Sequence, residues 1–152
     1  VQTCALPIYF VRDQKDLNYT PESDIIHDLY GHIPFFADQA YADYCHRYGE
    51  FACRFLDDAE RLRRLERYFW FTIEFGLVET PKGRRIFGAG IASSVGECEY
   101  ALSSRPEVLP FDVERICAQA FRIDQMQKRL FVMPSIETLY ASFPKLMEVV
   151  QR

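Results

Sequence analysis

A mainly α-helical fold with a few short β-strands is what residues 9–152 predict, and three observations carry that reading. Helix starts can be marked near Thr20-Pro21, Asp38, Asp57 or Asp58, Ser94, Asp112 and Ser135. The stretch from Asp58 past Glu74 carries Leu62, Leu65, Phe69 and Ile73 (or Thr72) at helical spacing. Strand signals are confined to short pieces, the clearest flanking a Pro81-Lys82-Gly83 turn.

In chain order, Tyr9–Arg12 reads as a short apolar, strand-like piece and Asp13–Asn18 as a polar connection. Thr20 then serves as N-cap, with Pro21 in the first turn where its missing N–H costs nothing. Glu22 and Asp24 favour the same positive end of the helix dipole. That helix is expected to stop near Tyr30, with Gly31 in the left-handed position and Pro34 blocking continuation. A second helix spans about Asp38 to Tyr48, closed by Gly49, and a third runs from Asp57 or Asp58 past Glu74. A hairpin pairs Gly76–Thr80 with Arg84–Phe87. Gly88-Ala89-Gly90 is a tight backbone segment lacking the Lys and Ser/Thr of a phosphate loop. Ser94-Val95-Gly96-Glu97 matches a capping box. Asp112–Ala120 is helical, Leu130–Met133 a strand, and Ser135 onward a last helix interrupted near Pro144.

The composition, 49% hydrophobic and 15% aromatic over 152 residues, suits one domain with a real core and excludes disorder. A net charge of −4 without a basic stripe argues against a nucleic-acid partner. Arg61, Arg63, Arg64 and Arg67, interleaved with Glu60 and Glu66, read as a solvated helix face. No apolar run approaches the roughly 20 residues of a membrane span. Five cysteines without a Cys-x-x-Cys pair suggest reduced thiols and a cytoplasmic protein. Val1–Ile8 reads as the translation of a short-read sequencing adaptor. It is set aside from the fold, and the natural chain is expected to extend further upstream.

Chemistry concentrates in one place. Two of the three histidines, His27 and His32, lie in Ser-Asp-Ile-Ile-His-Asp-Leu-Tyr-Gly-His-Ile-Pro. Glu74 stands in Phe69–Val78, a stretch otherwise almost free of charge, where a lone carboxylate needs a partner, a proton or a cation. Two imidazoles and one carboxylate make the ligand set of a non-haem iron(II) site with open positions. Residues i and i+5 lie about 140° apart on an unbroken α-helix, which suits one metal poorly. Ending the helix at Gly31 would let His32 swing round. The plainer alternative is a pair of ordinary histidines, with Glu74 paired to an arginine. A zinc hydrolase site is the other metal reading, but it lacks His-Glu-x-x-His and a third placed histidine.

These residues resemble a known family. Tyr19-Thr-Pro-Glu-Ser-Asp-Ile-Ile-His-Asp-Leu-Tyr-Gly-His-Ile-Pro34 looks like the iron motif of the pterin-dependent aromatic amino acid hydroxylases. Trp70-Phe-Thr-Ile-Glu-Phe-Gly76 and Gly88-Ala-Gly-Ile-Ala-Ser-Ser-Val-Gly-Glu97 are similar to that family's next two signatures, in order. The His-Asp pair at 27–28 and the stretch from Phe121 to Val132 look most like bacterial members acting on phenylalanine. The resemblance covers nearly all of residues 9–152. It implies the family's helix-rich α+β catalytic-domain fold, of which this chain is the C-terminal part.

It further implies iron(II) held by His27, His32 and Glu74, where tetrahydrobiopterin and O₂ hydroxylate L-phenylalanine to L-tyrosine. Arg12 matches the arginine that holds the substrate carboxylate, Asp24 the acid that orients it and Thr20 the assisting hydroxyl. Trp70, Phe75 and Ser93 match residues lining the amino acid pocket, with Ser93 close to an iron-bound histidine. Asp28 and Glu97 match positions on the pterin side, although Glu97 also reads as a cap. The partners implied are an aromatic amino acid and O₂, and the bacterial members suggest a monomer. The departures are Ser23, where the family usually has proline, and Phe69, where many members have tyrosine. The segment that carries the family's pterin-stacking aromatic precedes Arg12 and is absent from this sequence. A nearly complete iron site, a partial amino acid pocket and a damaged pterin pocket are therefore expected. Tyrosine or tryptophan as substrate, and an inactive fragment with a vestigial metal site, are the alternative readings.

Overall fold

The computed structural model describes residues 10–16 and 23–152. Seven α-helices among the described residues surround a four-stranded mixed sheet. Helix α1 (Gln39–Ala52) starts at Asp38, whose side chain accepts from the backbone of Ala40 and Tyr41. It passes through Gly49 instead of closing there, and Gly49 lies in the open with no atom near its Cβ direction. Helix α2 (Ala59–Phe69) is capped by Asp58 in the same way.

The helix expected to run past Glu74 changes pitch at Trp70. Residues Trp70–Glu74 form a π-helical turn, closed by Phe75 N–H donating to Trp70 O at 2.8 Å. Thr72 Oγ donates back to Tyr68 O at 2.6 Å within it. A second departure lies at His27–His32, which is also a π-helical turn, with Ile33 N–H donating to Asp28 O. Gly31 therefore does not end a helix in the left-handed conformation; Gly83 (φ +90°) is the one glycine with positive φ among the described residues. A 3₁₀ segment, Ile33–Ala37, follows and accommodates Pro34 in its first turn.

The hairpin forms as expected from β1 (Gly76–Val78) and β2 (Arg85–Ile86), with Gly83 in its turn. The sheet order is β2-β1-β4-β3, adding β3 (Glu107–Pro110) and β4 (Arg129–Met133). Strand β4 runs parallel to both neighbours, pairing Leu77 with Val132 and Val108 with Leu130. Helix α3 (Ala89–Ala92) occupies the segment read as tight backbone. Helix α4 (Val95–Leu102) begins at Ser94, but Ser94 makes no side-chain cap bond and Glu97 is buried, so the expected box is not built. Helix α5 (Val113–Ala118) is shorter than expected and capped by Asp112. The last helix is two, α6 (Ile136–Ala141) and α7 (Phe143–Gln151), with Pro144 in the first turn of α7.

The main core is aromatic, built from Tyr41, Tyr44, Phe51, Tyr68, Phe71, Phe131 and Phe143 with Leu65, Leu139 and Leu146. Its buried hydroxyls find partners: Tyr48 donates to Leu65 O at 2.7 Å, and Tyr68 pairs with Ser142 at 2.6 Å. A smaller cluster of Phe75, Leu77, Ile91, Ala101 and Leu130 lies on the other side, and Trp70 packs against both. The arginines of α2 are not simply a solvated face. Arg61 donates to Val150 O and Gln151 O, Arg64 to Val149 O and Arg67 to Cys117 O. These cations satisfy the carbonyl ends of α7 and α5, where helix dipoles favour positive charge.

Candidate metal centre

The two π-helical turns face each other. In a π turn the i→i+5 hydrogen bond brings residue i+5 over residue i, so His27 and His32 project side by side. Their ring centroids lie 4.8 Å apart at 70°, with the two Nε2 atoms 3.0 Å apart. This answers the spacing problem by a route the sequence reading did not anticipate. Glu74, last residue of the other π turn, brings Oε1 to 3.1 Å from His32 Nε2 and Oε2 to 3.5 Å from His27 Nε2. Counting one donor atom per residue, the three lie within 4.8 Å of one another. Two ligands at right angles with bonds of about 2.1 Å stand about 3.0 Å apart, so the set fits a common cation. Among the described residues no other such cluster occurs.

Charges around the pair differ. Burial holds the His27 imidazole below its ordinary pKa, more than Glu74 opposite raises it. Burial also works against charge at His32, but its hydrogen bond to Glu74, with the charges of Glu74 and Asp28, raises its pKa above the ordinary value. His27 Nδ1 lies 3.1 Å from Ser93 Oγ. With the proton on Nδ1 donated to that hydroxyl, Nε2 turns its lone pair toward His32 and Glu74.

A buried polar network stands behind His27. Asp24, fully buried, accepts from Arg12 N and Arg12 Nε at 2.9 Å each, and from Arg12 Nη2 at 2.5 Å. The same carboxylate accepts from His27 N at 3.0 Å. Arg12 Nη1 donates to Ser93 O at 2.5 Å, which closes a ring of four residues. Hydrogen bonds from Arg12, with the His27 amide, hold the Asp24 carboxyl far below the usual carboxylate range. Arg12 and Asp24 are thus brought together with His27 and Ser93. Thr20 lies outside the described residues.

On the apolar side, Trp70 stacks between Phe75 (centroids 4.6 Å apart) and Phe121 (4.3 Å), and its buried Nε1 has no hydrogen-bond partner. The sequence reading missed Phe121 as part of this wall; its position in an irregular segment gave no periodic signal. Asp28 lies on the His27–His32 turn, half-buried. Glu97 sits apart on α4, buried, with Oε1 lacking a partner, and burial raises its pKa to about 7.

Comparison with known proteins shows the family. The family model for biopterin-dependent aromatic amino acid hydroxylases matches residues 5–152. Phenylalanine-4-hydroxylase of Caulobacter vibrioides is 46% identical over 131 residues, covering 86% of this chain and 44% of the relative. Cobalt-bound phenylalanine hydroxylase from Chromobacterium violaceum superposes with a TM-score of 0.82 at 38% identity, covering 93% of this chain and 53% of that one. The iron- and phenylalanine-bound form of that enzyme gives 0.79 at 37% identity, covering 93% and 52%. The chain therefore spans about half the length of the relatives it matches. It belongs to the biopterin-dependent aromatic amino acid hydroxylase family.

Proposed function

We propose that this member of the biopterin-dependent aromatic amino acid hydroxylases carries the iron-holding part of an enzyme that converts L-phenylalanine to L-tyrosine with O₂ and tetrahydrobiopterin. The observation that carries the reading is the convergence of His27 Nε2, His32 Nε2 and a Glu74 oxygen within 4.8 Å. His27, His32 and Glu74 would hold ferrous iron. Such an iron, with open coordination positions and electrons from a reduced pterin, supplies O₂ activation. The iron and cobalt forms of the Chromobacterium violaceum enzyme support a divalent metal of this kind.

The chain's own residues do the rest. Ser93 Oγ fixes the His27 ring and its tautomer, and Asp24 holds the backbone from which that ring projects. Arg12 is the candidate for the substrate carboxylate. Asp24 fixes its Nε edge, which pre-orients the planar guanidinium at no further entropic cost when an anion arrives. Thr20 is proposed to assist it. Trp70 and Phe75 are proposed to line the apolar side of the amino acid pocket, where their stacked rings exclude water. Asp28 is proposed to face the pterin. Glu97 is proposed for the same side, where a carboxyl titrating near neutrality can hold or release a proton.

The phenylalanine relatives favour phenylalanine over the other two aromatic amino acids. The test is turnover of phenylalanine, tyrosine and tryptophan by the iron-loaded full-length parent of this chain with tetrahydrobiopterin. Tyrosine formation from phenylalanine is expected to dominate. Faster hydroxylation of tyrosine or tryptophan overturns the substrate, and retained stoichiometric iron in Glu74→Ala overturns the ligand set.

A further inference from the structure

The two ligand-bearing turns do not touch only through the ligands; helix α3 is wedged between them. Its start is fixed to the sheet, because Gly76 O accepts from both Phe87 N (3.1 Å) and Gly88 N (2.9 Å). On one side, a Cβ at Gly88 would lie 2.2 Å from Glu74 O, and one at Gly90 would lie 3.1 Å from the same oxygen and 2.8 Å from the Phe75 ring. The backbone of α3 thus rests directly on the carbonyl of Glu74. On the other side, a Cβ at Gly31 would lie 2.7 Å from Ala89 Cβ, 2.9 Å from Ala89 Cα and 3.0 Å from Ala89 O. Gly31 is the residue immediately before His32, and Ala89 is buried.

We propose that Ala89 and Gly31 form a spacer, one methyl thick, that sets the separation between the histidine pair and Glu74 and so tunes metal affinity and coordination. These are positioning residues, and the inference rests on the reading of His27, His32 and Glu74 as metal ligands. The physical basis is that packed interiors transmit displacement instead of absorbing it. A methyl added at Gly31 forces the His27–His32 turn away from α3, while Glu74 stays pinned by Gly88 and Gly90. The donor atoms then separate, and metal affinity falls steeply with such misplacement. The pairing also explains why the residue before His32 is glycine although its backbone is an ordinary right-handed turn. The requirement comes from close approach, not from φ.

The test is a Co²⁺ titration of the wild-type chain and of Gly31→Ala, Ala89→Gly and the Gly31→Ala/Ala89→Gly double variant, read by calorimetry and by the visible Co(II) absorption bands. Far-UV circular dichroism and urea unfolding run alongside. Wild type is expected to bind one equivalent. Failure at this step overturns the ligand reading itself. Gly31→Ala is expected to weaken Co²⁺ binding at least tenfold and to shift the absorption bands. The double variant, which moves the methyl to the opposite side of the contact, is expected to recover part of the loss, since Ala89 Cα and O still crowd the new Cβ. If Gly31→Ala does not fold, Ala89→Gly, which only removes a methyl, still decides the matter. It is expected to weaken binding three- to tenfold with altered bands. Wild-type affinity and unchanged bands in a folded single variant overturn the spacer, as does a double variant no better than Gly31→Ala.

Discussion

The two π-helical turns hold the candidate ligands His27, His32 and Glu74 by opposite means. Trp70–Glu74 is anchored from below by the core: Phe71, Thr72 and Ile73 are buried, and Glu74 is its last residue. His27–His32 has little beneath it. Leu29 and Tyr30 are exposed, as are Ile33 and Phe36 just after it, and the turn is held by buried polar bonds through Asp24 and Ser93 and by the Gly31–Ala89 contact. One candidate ligand, Glu74, therefore belongs to the folding core, and the other two, His27 and His32, hang from a polar frame. Damage to the His27–His32 turn should cost metal while sparing the fold. Damage to the buried side chains of the Trp70–Glu74 turn, Glu74 apart, should cost the fold, and metal only as a consequence.

Breaking the core beneath the Trp70–Glu74 turn gives the largest effect. Phe71→Ala removes a buried ring packed against Phe131 at 5.3 Å and is expected to destabilise the protein by about 3–5 kcal/mol in urea unfolding. Metal affinity of the remaining folded fraction should stay near wild type.

Glu97 belongs to neither turn and supplies the control for pH. Burial raises its pKa to about 7, from 4.5 in the unfolded chain. The folded state therefore holds its proton more tightly than the unfolded state. Stability from this group is unimpaired below pH 4.5, falls between 4.5 and 7, and is lowest above 7. The loss is on the order of 3 kcal/mol. Unfolding curves from pH 4.5 to 8 are expected to show this decline and to flatten in Glu97→Gln. A decline of equal size in the variant would assign it elsewhere.

The smallest effect sharpens the contrast. Ser93→Ala leaves the Arg12 bond to its backbone carbonyl intact and removes the hydroxyl from His27 Nδ1, together with its long 3.4 Å bond to Gly90 O. Urea unfolding should move by about 1 kcal/mol. Metal affinity should fall by about 10- to 100-fold, as when the outer hydrogen bond of a ligating histidine is lost.

What was legible in the sequence follows the same division. Glu74 declares itself as the one charge in an apolar stretch, and Asp38, Asp58 and Asp112 mark helix starts that the structure keeps. The π turns were not legible. A local change of pitch leaves the apolar pattern on either side intact, so the pattern reads as one continuous α-helix. Glycine near a helix end most often takes the left-handed position, whereas the close approach at Gly31 depends on Ala89, far away in sequence. Strand β3 escaped notice because Pro106 precedes it and Pro110 is its last residue, and an edge strand paired only with β4 tolerates both. The arginines of α2 looked solvated because the carbonyls they satisfy belong to the ends of other helices.

His32 is the candidate ligand that the fold can most readily spare. Anaerobic titration with ferrous iron, followed by calorimetry alongside circular dichroism, should give one equivalent bound to the wild-type chain. His32→Ala should give no measurable binding with an unchanged spectrum and urea midpoint. Stoichiometric iron retained by folded His32→Ala would contradict the central claim that the two turns meet at a shared metal.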